Sequence, residues 1–319
     1  MQPIFDFSGK SRLSGLYSEA MRILLSGASG LLGSAVVERL ACAPDIELTV
    51  VRSTRTECAL PLGSSEIFLD DTTNGTVLEK ELRSRPPTHV LHLAALSSAA
   101  ECEHDPPRAH MANVGFTRML ADIAQRFRAH MVLASTDLVF DGARAPEGGF
   151  DEYALPCPTS VYARTKRQAE REIVENSVGA VVRLSLLYGH TLSSSKGALG
   201  WIESSLREGR ELVLFKDEFR TPIHLKDAAR ALIEICERKL EGVWHCGGPQ
   251  RVSRVEFGRI IAEVGGFSTS CIREAVRSDV SASPVRPEDV SLNSSRLFSV
   301  LDFYPRSPSE ALAVDYARA

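Results

Sequence analysis

Residues 21–33 read MRILLSGASGLLG, an apolar run that passes into three glycines, Gly27, Gly30 and Gly33. The unbroken apolar character of 21–26 predicts a buried strand, and the spacing from Leu31 to Cys42 predicts a helix. Glycine between them permits a tight turn, lets backbone approach a phosphate, and packs the helix closely on the strand. The helix N-terminus then offers free N–H groups and the positive end of a dipole to phosphate oxygens. Three glycines in such a short span also occur in plain strand-to-helix turns. The strand–turn–helix setting favours phosphate binding.

The same alternation continues outward. IELTVV (46–51), EIFL (66–69), THVLHLA (88–94), AHMVLAS (129–135) and GAVVRLSLL (179–187) look like strands. Helical patterns fall between them, over roughly 107–128 and from about Ser160 to Asn176 among others. Continuous apolar strands separated by helices imply a parallel sheet covered on both faces. The expected fold class is therefore α/β, a doubly wound parallel sheet of the Rossmann type with a smaller C-terminal substrate-binding lobe. After residue 188 the regular pattern breaks. Helices are predicted near 200–208 and 226–239, with strands ELVLF (211–215) and GVWHC (242–246), the latter returning to the sheet. The last seventy or so residues show one helix, near 253–264, in an otherwise irregular stretch. The predicted division is an N-terminal extension (1–20), an NAD(P)-binding domain (21–187 plus about 223–246) and the lobe (about 188–222 plus 247–319).

Composition narrows the function classes. A net charge of −4 and a pI near 6.1 give no basic face, so neither nucleic acid nor an anionic membrane is an expected partner. Seven scattered cysteines with no C-x-x-C pair do not form a disulfide framework, which points to reduced thiols and a cytoplasmic location. No run approaches the roughly 18 apolar residues of a membrane helix. Residues 1–20 carry Asp6, Lys10, Arg12 and Glu19 without an apolar segment, so they are not a secretory signal. His89 and His92, three apart in a strand, point to opposite faces and suit packing better than metal binding. His224 and His245 sit at strand ends with no carboxylate or thiol partner visible in the sequence. No metal is expected.

Two further signals carry chemistry. The second strand ends Val51-Arg52-Ser53-Thr54-Arg55, without the acid that usually holds a ribose 2′-hydroxyl. Two guanidinium groups, Arg52 and Arg55, suit a 2′-phosphate, so NADP is favoured and NAD remains possible. The alternative is that both arginines are merely solvated. Tyr162 and Lys166 stand four apart on a predicted helix and so share a face. An ammonium there would stabilise the phenolate and lower the Tyr162 pKa, giving a usable proton donor and acceptor. The pair alone is weak evidence. It gains weight from Ser135-Thr136 at the carboxyl edge of the preceding strand, where ligands of such sheets bind.

Together these residues resemble the extended short-chain dehydrogenase/reductase family, from about Met21 to about Arg296. Gly27, Gly30 and Gly33 match its glycine turn, Asn113 to Thr117 is similar to its Asn–Gly–Thr stretch, and Thr136, Tyr162 and Lys166 match its catalytic set. Ser135 to Gly142 looks like the S-T-D-Y-V-F-D-G segment of dTDP-4-dehydrorhamnose reductases, and Arg183 to Gly189 and Arg286 to Leu292 continue the likeness. The resemblance implies that Thr136 bonds a substrate carbonyl, Tyr162 protonates it, and Lys166 holds the nicotinamide ribose. It places Gly27, Ser29, Gly30, Leu31, Leu32 and Gly33 at the cofactor phosphates, and Asp70 and Asp71 at the adenine. Ala94, Ala95, Leu96 and Asn113 would run beside the cofactor, while Ser97, Thr136, Asp137 and Arg220 would face the substrate. Arg220 reads equally well as a surface guanidinium.

Two departures bear on substrate. Dehydratases of the family follow the catalytic Thr with Asp and Glu; here Asp137 is followed by Leu138, so the base for water elimination is missing. The reductases usually have Tyr where Leu138 stands, and Gly where Ala163 stands. The leading expectation is an NADPH-dependent reductase of a nucleotide-linked 4-keto-6-deoxy sugar, which could pair as a homodimer. One alternative is a nucleotide-sugar epimerase with tightly bound NAD. Another is a non-catalytic NADP-binding regulatory subunit, like the β subunit of methionine adenosyltransferase.

Overall fold

The computed structural model describes residues 20–43, 45–52, 60–69, 75–176, 179–191, 197–279 and 286–317. All but the last residue of the expected N-terminal extension lies outside the described residues. The chain starts with β1 (Met21–Ser26), α1 (Leu31–Leu40), β2 (Ile46–Arg52), β3 (Ser65–Phe68), α2 (Gly75–Leu82) and β4 (His89–His92). Helices α3 (Ala99–His104), α4 (Pro106–His110) and α5 (Phe116–Phe127) follow, the last two joined by a π-helical turn over Met111–Gly115. Next come β5 (His130–Thr136), α6 (Val161–Val174), β6 (Gly179–Leu184), β7 (Leu187–Tyr188), α7 (Ala198–Glu208) and β8 (Leu212–Phe215). Short strands β9 (Phe219–Arg220) and β10 (Ile223–His224) lead into α8 (Leu225–Glu237) and β11 (Gly242–Cys246). The remainder holds β12 (Val252–Ser253), α9 (Arg254–Gly265), β13 (Ile272–Ala275), α10 (Ser295–Phe298) and α11 (Pro308–Tyr316).

Seven strands form one parallel sheet in the order β11-β6-β5-β4-β1-β2-β3. The order runs outward from β1 in both directions, which makes the fold the doubly wound α/β type that the alternation predicts. Both faces are covered. Leu25, Val132 and Val182 pack with Val36 of α1 and Leu232 of α8, while Leu24, Leu133 and Val181 pack with Leu120 of α5 and Ile173 of α6. Adjacent residues of one strand thus serve opposite cores, as the pleat dictates. A third core joins Ile202, Leu212, Phe257 and Leu312 from α7, β8, α9 and α11.

The structure departs from the sequence reading in several places. The run 179–187 is not one strand: β6 stops at Leu184, and Leu187–Tyr188 pairs with β10 in a separate small sheet. Just past this end, the Ser185 hydroxyl donates to Asp137 (3.0 Å) and accepts from the Thr221 amide (3.3 Å), contacts that lie off the sheet. The long helix expected over 107–128 is interrupted by the π-helical turn, in which the Asn113 carbonyl accepts from Thr117 Oγ1 at 2.6 Å. His224 does have a carboxylate partner: its Nε2 lies 2.9 Å from Asp315 Oδ2 on α11, too far along the chain for local reading. His92 is a packing residue as expected. It is fully buried between Ser26 (2.6 Å) and Thr117 (2.9 Å), and burial pushes its pKa down to about 3.

One buried ion pair ties the sheet to α6. Glu170 is 0% exposed and Arg183 on β6 is 2% exposed. The Arg183 guanidinium donates to both Glu170 oxygens at 2.9 Å, Ser135 donates to Oε1 at 2.7 Å, and Arg167 donates to Oε2 at 3.0 Å. These contacts outweigh burial and hold the Glu170 carboxyl below its ordinary pKa. Removing one partner of such a pair leaves an uncompensated buried charge, which costs roughly 3–5 kcal/mol. Glu170→Leu should therefore lower the unfolding free energy in urea by about that amount; a loss under about 1 kcal/mol would show that Arg183 finds another partner.

Candidate active site

A cleft of about 940 Å³ opens at the carboxyl ends of the strands, between the sheet and the segments after residue 184. One wall is the glycine turn. Gly27 has φ +80°, in the left-handed region, and a Cβ there would stand 2.6 Å from the Ala94 amide nitrogen. A Cβ on Gly33 would lie 2.0 Å from the Gly27 carbonyl oxygen, so the contact of α1 with the turn excludes any side chain. Gly30 is the N-cap of α1 and supplies no side-chain cap, which leaves first-turn N–H groups open to a ligand. Gly27, Ser29, Gly30, Leu31, Leu32 and Gly33 all line the cleft.

Past β4, Ala94, Ala95 and Ser97 line the cleft, but Leu96 and Asn113 do not. Asn113 is fully buried and clamps Leu96 instead, accepting from its amide (2.8 Å) and donating to its carbonyl (3.2 Å) and to Thr165 (2.9 Å). It braces the wall from behind rather than facing the cavity. Arg52 reaches the cleft from the end of β2 and forms an ion pair with Glu66 on β3. Arg55, Asp70 and Asp71 lie outside the described residues.

Thr136, Tyr162 and Lys166 come together in the same cleft. Thr136 closes β5, its hydroxyl accepting from the Leu138 amide (3.2 Å) and donating to Asp137 (3.3 Å). Tyr162 sits in the first turn of α6, which Ser160 caps by accepting from the Ala163 amide at 3.1 Å. Lys166 follows one turn on, 2% exposed. Its ammonium finds no hydrogen-bond acceptor among the described residues. Burial pulls its pKa down to about 8, opposed by the negative charge of Glu170. Burial and the nearby Asp137 carboxylate push the Tyr162 phenol well above its ordinary range, opposed by a hydrogen bond with Thr136. The largest influences on Tyr162 after burial are thus Asp137 and Thr136, not Lys166. The phenol is protonated at neutral pH, where sequence reading expected Lys166 to depress it.

The opposite wall is charged. Arg220 of β9, Arg254 at the start of α9 and Arg286 all line the cleft around Glu218. Glu218 lies 3.3 Å from Arg220 Nη2, 3.3 Å from Arg286 Nη1 and 4.0 Å from Arg254 Nε. Asp137, 3.9 Å from Arg220 Nε, is the second acid. Three guanidinium groups against two carboxylates leave this wall suited to an anion. Burial pulls even Arg254 down to about 10, opposed by the attraction of Glu218. Of this group the sequence singled out Arg220 and Asp137 as site residues. Arg286 falls in the sequence only within a segment that carries the family likeness. Glu218 and Arg254 were missed: Arg254 follows the Ser253 cap of α9 and looks like any solvated helix start.

The comparisons bear on the family and the fold. The family model described as RmlD substrate binding domain matches residues 21–318. Methionine adenosyltransferase 2 subunit beta of Xenopus laevis is 27% identical over 283 residues, covering 86% of this chain and 81% of that protein. A probable low-salt glycan biosynthesis reductase, Agl14 of Haloferax volcanii, is 28% identical over 280 residues, covering 87% and 91%. Among solved structures, a dTDP-4-dehydrorhamnose reductase of Clostridium acetobutylicum superposes with a TM-score of 0.79 at 23% identity, covering 93% of this chain and 99% of that one. A hypothetical dTDP-4-dehydrorhamnose reductase of Sulfolobus tokodaii gives a TM-score of 0.75 at 27% identity, covering 90% and 98%. With the family model spanning almost the whole described chain, this protein belongs to the RmlD substrate binding domain family, within the extended short-chain dehydrogenase/reductases.

Proposed function

We propose that the protein is an NADPH-dependent reductase of a nucleotide-linked 4-keto-6-deoxy sugar. The observation that carries this reading is the single cleft in which the glycine turn, Thr136–Tyr162–Lys166 and the three arginines face one another. A buried ammonium without an acceptor is costly unless something answers it. Lys166 lines the cleft with no acceptor among the described residues, and ribose hydroxyls of a dinucleotide laid on the glycine turn would answer it. A bound nicotinamide supplies hydride to a carbonyl carbon. The chain's own part is to hold and protonate the carbonyl oxygen. Thr136 offers the orienting hydroxyl, and Tyr162 donates the proton. A phenol held protonated is the form a reductase needs at the start of its cycle. Arginine suits a diphosphate through its fork of donors, so Arg220, Arg254 and Arg286 fit the nucleotide diphosphate of the substrate. Leu138 lines the cleft where a dehydratase would have its base, which favours simple reduction.

A second reading has a specific observation behind it. Several relatives of similar identity are β subunits of methionine adenosyltransferase, at 25–27%. On that reading the protein is a non-catalytic NADP-binding partner, which coelutes with a catalytic subunit and shows no substrate-dependent cofactor oxidation. An epimerase, the third alternative, would purify with dinucleotide already bound.

NADPH oxidation with dTDP-4-keto-6-deoxy-L-mannose, followed by absorbance, tests the leading reading. Turnover is expected, and Tyr162→Phe should cut it by about 100-fold or more, the usual contribution of a general acid. No turnover in the presence of bound NADPH would move the weight to the partner-protein reading.

Arg52 is the described residue placed to meet a 2′-phosphate. Arg52→Gln should weaken NADPH binding by roughly 10-fold or more and leave NADH nearly unchanged, since a charge-assisted hydrogen bond contributes about 1.5–3 kcal/mol. Fluorescence titration of both cofactors reads the difference; equal losses would mean that Arg52 does not meet the 2′-phosphate.

Lys166 gives a pH dependence. Its pKa lies near 8 in the unliganded cleft, so the ammonium is charged below that pH and lost above it. NADPH affinity should hold below about pH 8 and fall as pH rises through it, whereas Lys166→Met should be weak and flat across the range.

A further inference from the structure

Asp137 stands where the two walls of the cleft meet. It is 5% exposed and follows Thr136 directly. Its Oδ1 accepts from Thr136 Oγ1 (3.3 Å), its Oδ2 accepts from Ser185 Oγ (3.0 Å), and Arg220 Nε lies 3.9 Å away. The charged and titratable groups that bear on it come from three elements. Arg220 comes from β9, Arg254 from α9 and Tyr162 from α6. Burial pushes its carboxyl above the ordinary range, while Arg220, Ser185 and Thr136 pull it back. Arg220 is the one full opposite charge among those three, and it is also a member of the arginine cluster.

We propose that Asp137 is a second proton-holding residue of this site, and that Arg220 ties its proton to occupancy of the arginine cluster. An anion settling among Arg220, Arg254 and Arg286 is taken up together with a proton from solvent, which lands on the Asp137 carboxylate. The proposal rests on the reading that these arginines receive the substrate's diphosphate. Its physical basis is competition for one guanidinium. Once Arg220 faces an anion, its field at Asp137 is largely cancelled, and a buried carboxylate without a countercharge holds its proton. The consequence reaches Tyr162. The Asp137 carboxylate opposes ionisation of that phenol. A neutral Asp137 removes the opposition, so Tyr162 becomes a stronger acid when the substrate is in place. Binding at the lobe thereby prepares the proton donor at the sheet.

The test is calorimetric titration of the whole protein with dTDP-glucose, whose diphosphate keeps a fixed charge near neutral pH. Running it in buffers of contrasting ionisation enthalpy, from neutral to alkaline pH, counts the protons taken up. Wild type should take up a proton on binding, and its affinity should fall by up to about 10-fold per pH unit on the alkaline side. Asp137→Asn, close in shape, should bind with no such uptake and a flat pH profile. Arg220→Gln should bind more weakly and also lose the uptake, because Asp137 would already be protonated. Equal proton counts in wild type and both variants would overturn the coupling while leaving the anion site intact. Failure of wild type to bind dTDP-glucose at all would remove the arginine reading, and the coupling with it.

Discussion

The edge of the sheet that borders the cleft depends on one buried carboxylate. Glu170 gathers Ser135 from the end of β5, Arg183 from β6 and Arg167 from its own helix, all within 3.0 Å. Ser135 precedes Thr136, and Lys166 lies one turn before Glu170 on α6. The bond that anchors the helix to the sheet therefore also sets the spacing between the hydroxyl on β5 and the ammonium on α6. Arg183 extends the network to His245 on β11 (3.3 Å), whose ring also meets the Phe150 carbonyl at 2.8 Å. A charge pair in such a setting contributes less through net energy than through geometry. Unpaired, either partner would be costly, so the arrangement that pairs both is the one the chain keeps.

Beyond that anchor, the cleft depends on what is left unsatisfied on each side. The glycine turn brings α1 so close that its first N–H groups face the cavity with no side chain to cap them. Lys166 arrives buried and without an acceptor among the described residues. Across the gap, Glu218 holds three arginines in a fan but neutralises only part of their charge. Donors and positive charge thus converge from both sides on a space lined between them by Thr136 and Tyr162. A long ligand with negative charge near both ends and an uncharged reacting centre matches that pattern, as a dinucleotide and a nucleotide sugar lying end to end would.

Much of this was legible in the sequence, and the limits have physical causes. Gly27 and Gly33 could be read because backbone contact tolerates no other residue, and Tyr162 with Lys166 because helical geometry fixes their spacing. The parallel sheet showed itself in strands buried on both faces. Pairings between distant segments were invisible. Nothing local links His224 to Asp315, or places Arg254 beside Glu218. Helix α11 was missed although Ser307 and Glu310 form a capping box around Pro308, because its apolar residues keep to no clear helical stripe. Asn113 falls in the expected region, behind the cleft wall. Its side chain serves the backbone of Leu96, a contact between segments that local sequence does not show.

On the proposed reading one cleft holds a dinucleotide on the glycine turn and a nucleotide sugar on the arginine wall, with Tyr162 between. A crystal structure of the protein with NADP and a thymidine diphosphate sugar tests it most directly. The account predicts ribose hydroxyls within hydrogen-bond reach of the Lys166 ammonium, and the sugar's diphosphate among Arg220, Arg254 and Arg286. A dinucleotide bound away from Lys166, or a diphosphate that leaves those arginines on Glu218 and Asp137 alone, would contradict it.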